Sequence, residues 1–183
     1  MRRGFARLQG LAYITWHARH LLYHILLGVA WMWIIRDQLS VYSPQLLLLS
    51  ITGSVFPDVE HLVFFLFSGK RDPYSVQIKK YVWHRDWRVL ATFIERGHKY
   101  NTRLSYHNIY TIVLCVVIGF IFLVFRGYPY FVFTGAMVIH YVFDMMDDIA
   151  LLGYTNSNWF RWGGARTREK KVFWKKLDRS IDR

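Results

Sequence analysis

The sequence predicts an all-α integral membrane protein of about four transmembrane helices plus interfacial helices, and three observations carry that expectation. The apolar residues are gathered into blocks such as Leu46 to Phe56, Ile109 to Phe125 and Tyr128 to Tyr141, where a soluble amphipathic helix would scatter them at intervals of three and four. The composition is 54% hydrophobic and 19% aromatic, yet the net charge is +12. Few soluble domains combine these values. The basic residues are also segregated along the chain, as described below.

A spanning helix needs about 20 mostly apolar residues, because each residue advances about 1.5 Å through roughly 30 Å of hydrocarbon. Four segments come near that length: Trp16 to Ile35, Tyr42 to Pro57, Asn108 to Phe125 and Tyr128 to Leu152. The second is short, and Pro57 is expected to end it, since proline lacks the amide proton that continues a helix. Val59 to Phe67 is apolar but contains Glu60 and His61, which suggests a re-entrant or interfacial helix. The helical membrane domain is therefore residues 1–152, including a basic loop at 68–106, and residues 153–183 form a basic tail.

With these spans, every one of the 24 Lys and Arg except Arg36 and Arg126 falls on the N-terminal arm, the 68–106 loop or the tail. Positive residues beside spans are retained in the cytoplasm. Both termini are thus expected to be cytoplasmic, in a multi-pass protein of the cell (inner) membrane. A basic arm before an apolar block also suits a signal peptide, but the Trp-rich end of the first block offers no obvious small-residue cleavage site, which favours a retained anchor. Cys115 lies inside a span and, as the one cysteine, cannot form an intramolecular disulfide. Within the loop, Ile78, Tyr81, Val82, Val89, Leu90 and Phe93 fall near helical spacing among Lys79, Lys80, Arg85 and Arg88. Tyr74 to Arg96 therefore reads as a basic amphipathic helix lying on anionic headgroups.

Ionisable groups in or beside spans are costly in lipid, so each is a functional candidate. His17, His20 and His24 share one helix face by their i, i+3, i+7 spacing, and His140, Asp144 and Asp147 share another. Asp58, Glu60 and His61 follow Pro57, and His107 opens the third span. The charge-derived topology, which uses none of these residues, brings them to the cytoplasmic leaflet. Imidazole with carboxylate suits zinc or another divalent ion, and a bound cation would lower the cost of three aspartates on one helix. The plainer reading of His140 with Asp144 is an interhelical hydrogen bond; the other carboxylates and histidines at the same depth favour a metal. His84 and His98 carry less, and the basic loop and tail are most simply a topology signal.

At these residues the chain resembles a known family. Gly53-Ser-Val-Phe-Pro57-Asp58-Val-Glu60-His61, Arg103-Leu-Ser-Tyr-His107-Asn108 and His140-Tyr-Val-Phe-Asp144 are similar to the ordered motifs of the YdjM-like family of inner-membrane metal-dependent hydrolases. Each motif is short; their order within four matching spans, from His17 to Asp144, makes the resemblance moderately specific. Glu60 stands where the family has Asp and preserves a carboxylate. Thr102 stands where the family has the first His of its His-Arg-Gly segment, and Leu104 replaces the Gly, so either a ligand is lost or a neighbour such as His98 supplies it.

A looser similarity extends to zinc-dependent phospholipase C, in which Asp58, His107, His140 and Asp144 would hold one zinc and His17, His20 or His24 would complete a second site. The resemblance implies activation of water by a metal and neutralisation of an attacked phosphoryl or acyl oxygen. Arg103 and Glu60 are the candidate catalytic residues, Arg103 by balancing negative charge as it develops. The metal candidates are His17, His20, His24, Asp58, His61, His107, His140, Asp144 and Asp147.

The expectation is a metal-dependent hydrolase acting at the cytoplasmic leaflet on a membrane lipid, such as a lipid phosphoester. The alternative is a non-catalytic membrane adaptor whose basic loop and tail bind an acidic protein, anionic lipid or nucleic acid. A transporter would need polar residues lining a path to both faces, and within the spans none continues such a path to the outer side.

Overall fold

The computed structural model describes the backbone of residues 2–87, 89–90, 93, 104 and 106–160, with side chains from residue 20 onward other than 62, 68, 151, 152 and 157. Among the described residues all regular structure is helical. Helix α1 is Arg2–Leu39, α2 is Pro44–Val55, α3 is Val59–Val63, α4 is Pro73–His84, α5 is Ile109–Val124 and α6 is Tyr128–Leu152. Two short 3-10 turns, Phe56–Asp58 and Ser157–Phe160, and a π turn, Phe64–Ser68, complete the set.

The helix ends follow local chemistry. Ser43 caps α2, its hydroxyl accepting the Leu46 N–H at 3.2 Å, with Pro44 in the first turn where a missing N–H costs nothing. Asp72 caps α4 by accepting from Tyr74, again with a proline next, and Asn108 caps α5 by accepting from Thr111 at 3.0 Å. Gly153 ends α6 in the left-handed conformation that glycine adopts without strain.

Two of these endings correct the expectations from sequence. Pro57 does not stop the second helix. The chain tightens into a 3-10 turn over Phe56–Asp58 and continues through α3 and the π turn, so Pro44–Phe67 is one helical run. The 3-10 turn accommodates the missing proton because its own hydrogen bonds are made by later residues, the Val59 N–H reaching Phe56 and Pro57 carbonyls. The amphipathic helix expected over Tyr74 to Arg96 stops at His84, where Arg85 turns left-handed at φ 58°. Phe93 is thereby brought back onto Tyr74, ring stacked on ring at 5.3 Å, and both are buried with Phe65, Ile78 and Tyr81 around them. Part of the apolar face expected from the sequence to meet lipid is thus covered by protein.

Residues 40–43 join α1 to α2, and 125–127 join α5 to α6. Connections this short make antiparallel neighbours. Helix α6 packs on α1, α2 and α5, and α2 also packs on α1. The approach of α1, α2 and α6 is close because small residues line it. A Cβ on Gly28 would sit 2.8 Å from the Ile51 Cα, and one on Gly53 would sit 2.5 Å from the Phe133 carbonyl oxygen. Short hydrogen bonds cross the same seam, Ser50 Oγ to the Gly28 carbonyl at 2.6 Å and Ser54 Oγ to the His24 carbonyl at 2.7 Å. Below it Met32, Ile35, Leu46 and Val132 form an apolar cluster, where the Trp31 indole N–H donates to the Val132 carbonyl.

Among the described residues, Pro44–Phe67 alone is long and apolar enough to cross a membrane by length and composition; Ile109–Val124 is apolar but has 16 residues. The hairpin geometry has a direct consequence for depth. His24, Asp58, His107 and Asp144 each lie about 15 to 18 residues from their hairpin turn, which at about 1.5 Å per residue puts all four some 22 to 27 Å from the turns and at one end of the bundle.

The seam yields a stability prediction. Helix propensity alone would make Gly53→Ala favourable by about 1 kcal/mol. Pressing a methyl into the Phe133 carbonyl instead is expected to cost about 1 to 3 kcal/mol by overpacking. The melting temperature of the purified variant should fall; an unchanged or higher value would mean that α2 and α6 stand further apart.

Candidate metal centre

The end of the bundle away from the two hairpin turns gathers imidazoles and carboxylates from four elements. His20 and His24 come from α1, and the turn after α2 brings Asp58. His107 comes from the residues just before α5, and α6 brings His140 and Asp144, one helical turn apart on one face. His24 and His140 are fully buried and His107 and Asp144 nearly so, whereas Asp58 and His20 are partly exposed. His24 stacks on His140 with ring centroids 3.9 Å apart.

The ligating atoms converge. His140 Nε2 lies 3.1 Å from Asp144 Oδ2 and 3.9 Å from Asp58 Oδ1. His107 Nε2 lies 3.7 Å from Asp144 Oδ2, and His24 Nε2 lies 3.6 Å from Asp144 Oδ1 and 4.0 Å from Asp58 Oδ2. Three sets of donor atoms within 4.8 Å of one another result: His24, His140 and Asp144; Asp58, His107 and His140; and His20, His24 and Asp58. Such buried His and Asp groups are placed to hold a metal ion.

Two of the rings are locked from behind. The His140 Nδ1–H donates to the Ser54 carbonyl at 2.6 Å. A carbonyl oxygen only accepts, so Nδ1 carries a proton and Nε2 is the atom turned to the cluster, where the neutral form of the ring would present a lone pair. His107 Nδ1 meets Glu60 Oε2 at 2.7 Å, while Glu60 Oε1 accepts the Tyr106 N–H at 2.8 Å. With both carboxylate oxygens accepting, Glu60 fixes the His107 tautomer in the same sense. A carboxylate or carbonyl behind a ligating imidazole is the arrangement that orients metal-binding histidines. His107 Nε2, His140 Nε2 and Asp144 Oδ1 are buried and make no hydrogen bond within the described protein. Leaving buried acceptors in that state costs about 1 to 3 kcal/mol each, unless something electropositive meets them.

The remaining candidates from sequence fall elsewhere or in other roles. Glu60 supports His107 and faces away from the cluster's interior. His61 packs its ring 5.1 Å from that of His107 but joins none of the three donor sets. Asp147 is half-buried on α6 and also lies outside those sets. His17 is on α1 with its side chain outside the described residues, as are Thr102 and Arg103 altogether.

Sequence reading missed the supports. Asp148, one turn beyond Asp144, is buried and its Oδ2 accepts the Trp159 indole N–H at 2.7 Å. Asn158, also buried, donates from Nδ2 to the His107 carbonyl at 2.7 Å and to the Leu104 carbonyl at 3.3 Å. The stretch assigned to the tail therefore folds back and clamps the backbone that carries His107. The third aspartate on α6 was the available signal, since a second carboxylate one turn from Asp144 needs its own partner.

Replacing Glu60 tests the support. In Glu60→Gln the single amide oxygen cannot accept from both Tyr106 and His107, so the Tyr106 N–H is expected to retain it and the amide NH2 to face Nδ1. His107 should then carry its proton on Nε2, which nitrogen-15 shifts of the metal-free protein would reveal as an exchange of the two ring signals. Unchanged signals would mean that Glu60 does not set the tautomer.

No protein-family model matches the chain, and comparison with curated proteins and with solved structures finds no match either.

Proposed function

We propose that the chain is a membrane-embedded, metal-dependent hydrolase working at the cytoplasmic leaflet, with a lipid phosphoester as its substrate. The observation that carries this reading is the meeting of Asp58, His107, His140 and Asp144 with their free lone pairs aimed inward and two of the rings locked from behind. His107 Nε2 and Asp144 Oδ1 are buried without a hydrogen bond among the described residues, and His140 Nε2 meets Asp144 Oδ2 at 3.1 Å, so the cluster's polar atoms are only partly paired with one another. The donor set, imidazole nitrogen with carboxylate oxygen, suits zinc best among common ions. When bound, a divalent cation supplies Lewis acidity and lowers the pKa of bound water toward neutrality.

The chain's own groups then have defined tasks. Glu60 and the Ser54 carbonyl hold protons at His107 Nδ1 and His140 Nδ1, keeping both Nε2 atoms as donors of electron pairs. Asp58 and His20, the partly exposed members, mark the side from which a substrate would come. Burial of His24, His107 and His140 excludes bulk water from the other sides.

Support for the bilayer comes from the outer surface. The run Pro44–Phe67 has the length and apolarity of a span. Val113, Leu114, Val117, Phe120 and Phe125 on and after α5, and Leu22, Leu26 and Trp33 on α1, all point outward and are exposed. Contiguous apolar surface of this kind is rare on soluble monomers. Four spans, formed by α1, the α2 run, α5 and α6, follow in this reading, with α4 at the headgroups and zinc-site depth near the cytoplasmic interface. The charge asymmetry sets the side.

Two outcomes are expected. Asp144→Asn keeps the shape but removes the charge that a cation needs, so bound metal should be lost. The stabilisation that chelator removes from the natural protein, about 2.7 kcal/mol at a hundredfold excess over Kd, should be absent from the variant. A variant that keeps its metal and its chelator response would exclude the site. For orientation, a reporter fused after Arg183 should be active only in the cytoplasm; activity on the other side would reverse the topology.

A further inference from the structure

Resting on the reading of this cluster as a metal site, we propose that Asn158, anchored through Trp159 and Asp148, is a positioning residue for His107, so that docking of the segment after α6 and binding of the cation strengthen each other. Of the six described side chains that meet, five stand on helical elements: His20 and His24 on α1, Asp58 at the end of the 3-10 turn, and His140 and Asp144 on α6. His107 stands before α5, outside any helix. A helix fixes the backbone of a ligand by its own ladder of hydrogen bonds, whereas a connecting segment must find those partners elsewhere.

For His107 they come from beyond α6. The Asn158 amide carries two protons, and its Nδ2 meets the His107 carbonyl at 2.7 Å and the Leu104 carbonyl at 3.3 Å, tying together two points of the same segment. Asn158 is itself held. Its N–H donates to Asn156 Oδ1 at 2.9 Å, and the adjoining Trp159 is buried with its indole N–H on Asp148 Oδ2 at 2.7 Å, an oxygen that the Asn156 N–H also approaches at 3.4 Å. The Tyr141 and Trp159 rings lie beside the imidazole of His107, their centroids 5.3 and 6.2 Å from its own.

These contacts close a circuit. Asp148 lies one turn beyond Asp144 on α6, and Asp144 Oδ2 faces His107 Nε2 at 3.7 Å. From α6 the path runs through Asp148, Trp159 and Asn158 to the backbone of His107, and the gap that remains is the one a cation would bridge. A docked segment holds His107 ready against the α6 ligands, which removes part of the ordering cost of binding. A cation joining His107 to α6 favours docking by the same factor, because coupling between two sites is reciprocal. Glu60 sets the tautomer of the ring, whereas Asn158 sets where the ring stands. Partners behind a ligand are worth about 10- to 100-fold in metal affinity; Asn158 acts on the backbone rather than on the ring nitrogen, so the lower figure is expected.

The test uses the full-length protein in detergent, stripped of metal and then loaded with zinc. Asn158→Asp keeps the shape but sets an acceptor against two carbonyl oxygens, and Trp159→Phe keeps a buried ring but gives up the N–H. Each should weaken zinc binding about tenfold and lower the melting temperature of the loaded protein more than that of the stripped protein, since a ligand bound to the native state adds stability in step with the logarithm of its affinity. Val132→Ala, in the apolar cluster near the hairpin turns, should lower both melting temperatures together and leave the affinity unchanged. In the natural protein, zinc should slow solvent exchange of the Trp159 indole proton about tenfold by the reciprocal coupling, a measurement that does not depend on the variants folding. Unchanged zinc affinity in both variants, or an indole exchange rate indifferent to zinc, would overturn the positioning role and leave the metal site standing. No zinc bound by the natural protein would overturn the metal reading and this proposal with it.

Discussion

The residue on which the arrangement depends is Ser54. Its hydroxyl is tied to the His24 carbonyl of α1, and its own carbonyl takes the His140 proton from α6, so one residue of α2 sets two other helices and two candidate ligands at once. This works only because the helices are close, and they are close because Gly53 and Gly28 have no side chain. Three residues on, Pro57 contributes no N–H to the ladder of α2, and the chain tightens there into the 3-10 turn that ends in Asp58. Packing, the helix irregularity and the site all draw on the same six-residue stretch, Gly53 to Asp58.

Which parts of the fold were legible follows from what the sequence encodes locally. The bounds of α6 were readable because Pro129 and Gly153 mark its ends and apolar residues fill the interval, and α5 was announced by the Asn108 cap. Hydropathy set the start of the first span at Trp16, whereas the helix begins at Arg2. Apolarity reports lipid compatibility, and helix formation depends on backbone preferences that Arg, Leu and Ala satisfy equally well. The continuation through Pro57 was invisible, because proline's penalty applies to α geometry and a single 3-10 turn avoids it. The break at Arg85 was hidden too, since arginine carries no signal for a left-handed conformation.

The site was legible as a depth before it was legible as a geometry. Charge asymmetry and helical rise together predict that His24, Asp58, His107 and Asp144 share one level, and the donor atoms do meet there. Roles were less accessible. Glu60 looks like a catalytic carboxylate in sequence, and only its two short hydrogen bonds make it a support for His107. Between the neighbours Asp147 and Asp148, spacing from His140 favoured the first; the second is the one engaged by Trp159, a partner 11 residues away that no periodicity could supply.

Charge balance gives the proposed centre a preference for what it binds. Among the described residues, the ion-pair partners of Asp58 and Asp144 are all histidines, so no arginine or lysine described here offsets their charge. A divalent cation held between them would offset that charge, and the burial of His24 and His140 beside it keeps the attraction poorly screened.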